Sequence, residues 1–150
     1  YPTVPVWTPA FGEAAWSQAL AHAGRDARGE PTVPLAMYAH FPYCAQKCLY
    51  CGCNALVSRN PARQDAYLAA LAQELDLVTD ALGAPRTLRQ LHWGGGTPNH
   101  QSEDQLRRSI DLFRQRFDFT ADAELSIEAD PRCVAPGQLE LLASLGFNRI

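Results

Sequence analysis

Apolar positions alternate between a period of two and a helical period along this chain. Between Leu35 and Ala39 the period is two: Ala36, Tyr38 and His40 would share one strand face, and Leu35, Met37 and Ala39 the other. Asn60-Pro61 then marks a helix start, with Asn60 as cap and Pro61 in the first turn. Tyr67, Leu68, Leu71, Leu75, Val78 and Leu82 follow at helical spacing, and Gly83 ends the run. Leu88 to Trp93 predicts a second strand. Ser102 and Gln105 form a capping-box pattern ahead of the stripe Leu106, Ile110, Phe113 and Phe117. Glu124 to Ala129 predicts a third strand, and Asp130-Pro131 breaks it. Pro136 to Leu145 predicts a helix with Leu139, Leu142 and Leu145 inward and Gly146 at its C-cap; Phe147 to Ile150 predicts a fourth strand.

Ahead of this series lie a proline-bearing arm (Pro2, Pro5, Pro9), an alanine-rich helix from Glu13 to His22 stopped by Gly24, and a polar loop from Arg25 to Pro34. The pattern βαβαβαβ implies an α/β fold of parallel strands with covering helices. A parallel sheet wants both faces buried, and a barrel needs more units than this. The expected organisation is therefore an N-terminal arm and helix over residues 1–34, then the first β/α units of a larger barrel over residues 35–150. In such a barrel Leu125 and Ile127 face the outer helices, while Ser126 and Glu128 face the lumen. Ligands in these folds sit at the C-terminal strand ends. Residues 43–54, the run Gly94-Gly95-Gly96-Thr97-Pro98, and Glu128 each lie at such an end.

Composition narrows the class. The chain has 150 residues, 47% of them apolar, enough for one globular core. A net charge of −3 without a basic run argues against nucleic-acid binding. No apolar run approaches the length needed to span a bilayer, and no signal-peptide pattern opens the chain, which begins at Tyr1 rather than Met and so reads as trimmed. Four of the five cysteines fall in Cys44-x3-Cys48-x2-Cys51-x-Cys53. Secreted disulfide frameworks spread their bridges over distant segments, so this crowding predicts a metal or cluster in a reducing, cytoplasmic compartment.

Four thiols so close can hold several centres. A fully ligated 4Fe–4S cluster needs four thiolates, and ferredoxin runs space the first two by two residues, not three. A structural zinc site usually joins two separated pairs, and four cysteines in ten residues make a cramped tetrahedron. If only Cys44, Cys48 and Cys51 bind a cubane, one iron stays open to a small molecule.

These residues resemble a known family. Cys44-x3-Cys48-x2-Cys51 with Tyr50 before the third cysteine looks like the radical S-adenosylmethionine (SAM) signature. Tyr38-Ala39-His40-Phe41-Pro42-Tyr43, Cys51-Gly52-Cys53-Asn54, Leu91 to Pro98, Ser126 to Pro131 and Leu145 to Arg149 further resemble the oxygen-independent coproporphyrinogen III oxidases (dehydrogenases) of that superfamily, as does the opening Tyr1-Pro2-Thr3. The extra Cys53 points to this branch; a related heme-chaperone branch typically has an aromatic there.

The resemblance implies a partial (β/α) barrel and a set of roles. Cys44, Cys48 and Cys51 would ligate the 4Fe–4S cluster, whose open iron takes the amino and carboxylate groups of SAM. Gly95, Gly96 and Thr97 would lie along the methionine part, Glu128 would accept from the ribose hydroxyls, and Tyr38 would contact SAM near the cluster. Tyr50 and Gly52 would lie near the adenine or a second SAM, since the family binds two. Cys53 is no ligand in this reading. The reduced cluster would cleave SAM to methionine and a 5′-deoxyadenosyl radical. That radical takes a hydrogen atom from a propionate β-carbon, and loss of CO2 and one electron leaves a vinyl group. Two such events convert coproporphyrinogen III to protoporphyrinogen IX in heme biosynthesis. The implied partners are the porphyrinogen and an electron donor, with no nucleic acid or membrane, and the protein is expected to be a monomer. The alternatives are a heme chaperone on the same scaffold and a small zinc or ferredoxin-like module.

Taken singly, several of these residues have plainer readings. A glycine run is commonly a tight turn, a strand glutamate is commonly solvated, and a strand tyrosine such as Tyr38 is commonly core. His40 and His92 read equally well as structural histidines, Cys133 as incidental, and Arg107, Arg108, Arg114 and Arg116 as a solvated helix face.

Overall fold

A computed structural model of the chain describes residues 10–23, 25, 28–30, 33–84 and 86–150. The expected arm over residues 1–9 and the expected helix stop at Gly24 lie outside the described residues. Helix α1 spans Glu13–His22, as the alanine-rich pattern predicts. The core elements are β1 (Leu35–Phe41), α2 (Pro61–Leu82), β4 (Thr87–Gly95), α3 (Glu103–Arg114), β5 (Asp118–Ile127) and α4 (Gln138–Ser144), with a short pair β2 (Tyr43–Cys44) and β3 (Leu56–Val57) between β1 and α2.

Strands β1, β4 and β5 form one sheet in that order, and both pairings are parallel. The expected fourth strand is present as a single parallel bridge between Arg149 and Ser126. Strand β5 begins earlier than the alternation suggests. Asp118 and Phe119 pair with Thr87 and Leu88, and the register then shifts before Glu124 meets Gln90. That irregularity breaks the period of two and hides the first half of the strand.

Helices α2 and α3 start where side chains satisfy their free N–H groups. Asn60 accepts from the Ala62 amide at 3.0 Å. Ser102 and Gln105 form the reciprocal capping box, at 3.2 and 3.1 Å. The stripes of α2 and α3 then bury Leu68, Leu71, Leu75, Leu82, Leu106, Ile110 and Phe113 against Leu88, Leu91, Trp93, Leu125 and Ile127 of the sheet. Trp93 centres this layer, with its ring 4.8 Å from that of Phe41 and 4.7 Å from that of Phe147.

Helix α4 differs from its expected phase. It starts at Gln138, after Gly137 in a left-handed conformation, rather than at Pro136. Leu141, Leu142 and Leu145 are buried, and Leu139 is exposed. A repeat of three residues, as in Leu139-Leu142-Leu145, drifts around a helix of 3.6 residues per turn. The adjacent Leu141 and Leu142 with Leu145 stay on one face.

The faces of the sheet separate as alternation predicts. One side carries the apolar core. The other carries Tyr38, His40, His92, Ser126 and Glu128, and the Tyr38 ring stacks on that of His92 at 5.6 Å. Tyr38 is half-exposed rather than core.

Candidate active site

The cysteine loop is closed by a device of its own. Tyr43 and Cys44 pair in parallel with Leu56 and Val57. The Leu56 amide donates to the Pro42 carbonyl at 2.7 Å, and the Ser58 amide to the Cys44 carbonyl at 3.0 Å. Parallel strands need a crossover, and here the crossover is the cysteine loop. The Gly96 and Thr97 amides donate to the Phe41 and Tyr43 carbonyls at 2.8 and 3.1 Å, which ties the glycine run to the base of the loop.

Loop, glycine run and the end of β5 enclose an open cavity of about 410 Å³. Its wall includes Cys44, Cys48, Tyr50, Cys51 and Gly52 from the loop, Gly96 and Thr97 from the end of β4, and Glu128 beyond β5. Eight of the ten residues singled out from the sequence therefore meet at one place. Tyr38 and Gly95 border it through Glu128. The Gly95 amide donates to Glu128 Oε2 at 3.1 Å, and a Cβ at Gly94 would lie 2.9 Å from both Glu128 and Tyr38.

All three glycines are required by close neighbours. Gly95 has φ +113°, and a Cβ there would stand 2.7 Å from the His40 ring. A Cβ on Gly96 would stand 2.9 Å from the Pro42 backbone and 3.0 Å from Cys44 Sγ. The run is thus a packing seam between the strand end and the loop, as well as bare backbone facing the cavity.

Polar contacts set the local electrostatics. Thr97 Oγ1 donates to Cys44 Sγ at 3.3 Å, and Arg132 Nη2 to Cys48 Sγ at 3.3 Å. Cys53 is exposed, and its thiol is pushed up, chiefly by hydrogen bonding to Cys51. Burial, then the Glu128 charge, push Tyr38 up. The hydrogen bond from Arg132 holds Asp130 down at about 2. Burial pushes Cys133 up. His92 joins Ser126 Oγ at 2.7 Å and Glu128 at 3.5 Å, and the Tyr38 hydroxyl meets His40 Nδ1 at 3.1 Å.

The donor set fits an iron–sulfur cluster better than a lone ion. Among the described residues no three His, Cys, Asp or Glu side chains converge as a single metal ion requires. In a cubane each thiolate binds its own iron, so thiols can stand apart around one cavity. Cys44, Cys48 and Cys51 do so, two of them already receiving hydrogen bonds on sulfur.

The radical SAM superfamily model matches residues 38–150. The chain belongs to that superfamily. Radical SAM proteins use a 4Fe–4S cluster and SAM. Among relatives, the oxygen-independent coproporphyrinogen III oxidase of Escherichia coli (strain K12) is 43% identical over 100% of this chain and 31% of its own length. That of Synechocystis sp. (strain ATCC 27184 / PCC 6803 / Kazusa) is 39% identical over 78% of this chain and 25% of its own. A solved structure of the Escherichia coli coproporphyrinogen III oxidase, described as a radical SAM enzyme, superimposes with a TM-score of 0.87 at 42% identity, covering 99% of this chain and 32% of that one. The radical SAM fold expected from the sequence is therefore present, and the chain spans about a third of these relatives' length.

Sequence reasoning missed Asn99, Asp130 and Arg132. Asp130 read as a strand breaker within a stretch of the resemblance, with no role of its own, and Arg132 carried no spacing signal, because its partner Cys48 lies 84 residues away. Asn99, one residue beyond Pro98, is 1% exposed. An asparagine just past the glycine run is the one cue the sequence offers, and its burial shows only in the fold.

Proposed function

We propose that this chain is the cluster- and SAM-binding part of an oxygen-independent coproporphyrinogen III oxidase. One observation carries the reading: a single cavity joins Cys44, Cys48 and Cys51 to Gly96, Thr97 and Glu128, in a chain that matches named coproporphyrinogen oxidases from end to end. Cys44, Cys48 and Cys51 hold the cluster. Gly95, Gly96 and Thr97 offer backbone and hydroxyl to the methionine part of SAM, and Glu128, steadied by the Gly95 amide and His92, takes the ribose hydroxyls. Tyr38 covers Glu128 from β1; exposed Tyr50, with Gly52, meets the adenine or a second SAM. Bound together, cluster and SAM supply hydrogen-atom abstraction by a 5′-deoxyadenosyl radical. The protein's part is to hold the ligands, orient the propionate carbon and exclude water.

The substrate is coproporphyrinogen III, two of whose propionate side chains would each lose a β-hydrogen atom to the 5′-deoxyadenosyl radical, their carboxyl group as CO2 and one electron to an acceptor, leaving the vinyl groups of protoporphyrinogen IX. The partners are this porphyrinogen and an electron donor to the cluster. The protein works as a cytoplasmic monomer without nucleic acid; among the described residues no helix is long and apolar enough to cross a membrane. The test is anaerobic reconstitution of the full-length protein followed by assay with SAM and coproporphyrinogen III. Iron and sulfide in cluster ratio, SAM cleavage and vinyl product are expected, and Ala at Cys44, Cys48 or Cys51 abolishes the cluster absorbance while Cys53→Ser retains it. Heme binding without vinyl product would make the protein a carrier, and one zinc per chain would overturn the cluster itself.

A further inference from the structure

The contact between Arg132 and Cys48 has no part in the roles assigned above. Arg132 is half-exposed and sits just past the end of β5, in a one-turn 3-10 helix over Pro131–Cys133. Its guanidinium is held between two partners, the Asp130 carboxylate and Cys48 Sγ. Nε lies 2.9 and 3.2 Å from the two Asp130 carboxylate oxygens. Nη2 lies 2.7 Å from Asp130 Oδ2 and 3.3 Å from Cys48 Sγ. The planar fork is thereby fixed with one N–H free to reach sulfur.

Asp130 is itself anchored. Its amide donates to Asn99 Oδ1 at 2.9 Å, and Asn99 Nδ2 donates to its carbonyl at 3.2 Å. Asn99 is locked in turn by Gln138 of α4. Asn99 Nδ2 donates to Gln138 Oε1 at 3.3 Å, and Gln138 Nε2 to the Asn99 carbonyl at 3.0 Å. Asn99 and Gln138 are 1% and 5% exposed, so this amide clamp is shielded from competing water. A buried relay from α4 through Asn99 and Asp130 therefore aims one guanidinium at one thiol.

We propose that Arg132 is a positioning residue for the cluster, donating a hydrogen bond to the Cys48 thiolate and so raising the cluster's reduction potential. A donor on a ligand sulfur withdraws electron density from it and stabilises the more negative, reduced state. Arg132 and Asp130 together carry no net charge. Their long-range fields largely cancel, and the short N–H···S contact is what the cluster senses. The inference rests on the cluster reading above.

The test uses full-length protein, reconstituted anaerobically, with the midpoint potential read by EPR at poised potentials. Arg132→Met removes charge and donor, and Arg132→Lys keeps the charge but cannot fork between Asp130 and Cys48. Both are expected to load a normal complement of iron and sulfide and to shift the midpoint to more negative potential. The expected size is about tenfold in the reduction equilibrium, about 59 mV for one electron. A midpoint unchanged in both overturns the proposal, and a shift in Arg132→Met alone overturns the hydrogen bond in favour of bare charge. If Arg132→Met fails to load, Arg132→Lys carries the same measurement. Failure of the wild-type protein to hold a cluster would sink the cluster reading instead, and iron and sulfide analysis separates that outcome from the others.

Discussion

Each glycine in residues 94–96 answers to a different neighbour, and this decides which substitutions the site tolerates. The close atom at Gly96 is the Pro42 backbone, which cannot swing aside as a flexible side chain could. Gly96→Ala is therefore expected to cost about 1–3 kcal/mol of apo stability, as overpacking does, and to lower cluster loading by displacing Cys44. Gly52→Ala, where a Cβ meets nothing within 4 Å, is the control and leaves apo stability unchanged. Urea denaturation of both variants checks the pair; equal stabilities would show that the loop yields freely at Pro42. The motif was visible in the sequence as a run at a strand end. That His40, Pro42, Tyr38 and Glu128 crowd it was not, since those residues lie 34 to 56 positions away along the chain.

At the scale of elements, the longer helices were legible because many turns average out a misplaced residue. Helix α2 has 22 residues and its stripe is where the spacing puts it. Helix α4 has seven, and Leu139 and Leu141, two positions apart, could each fit an apolar face with Leu142 and Leu145. The fold chose Leu141, so Leu141→Ala is expected to cost about 2–5 kcal/mol and Leu139→Ala to be nearly neutral. Thermal or chemical unfolding distinguishes them, and the reverse order would restore the phase that the sequence suggested. The pair β2–β3 was not legible at all. Two residues per strand carry no period, and their pairing exists only because the cysteine loop returns to its own base.

Across the whole molecule, ion pairs with exposed carboxylates join neighbouring elements, and the lowered pKa values of those carboxyls give a direction to acid stability. Arg108 reaches Asp65 at 2.5 Å and Arg116 reaches Asp76 at 2.7 Å, tying α3 and the turn after it to α2. Hydrogen bonds from these arginines lower both carboxyls, as Arg132 lowers Asp130 to about 2. Carboxyls lowered in the folded state protonate first in the unfolded chain. Their contribution is present above the ordinary aspartate value of about 3.9 and is lost progressively as pH falls below it. Apo stability is therefore expected to be flat through mild acid and to decline below about pH 4, with a shallower decline in Arg116→Met. A denaturation series across pH checks this, and an identical slope in that variant would remove the pair from the account. By itself the sequence determined the alternation of strands and helices, the cluster signature and the face on which Ser126 and Glu128 lie. Those follow from local period and from residue types whose chemistry is specific. Only the tertiary structure decided that Arg132 meets Cys48, that Asn99 anchors Asp130, and that Leu141 rather than Leu139 enters the core. Each of those depends on which distant backbone segments approach within a few ångströms, and spacing along the chain does not encode that distance.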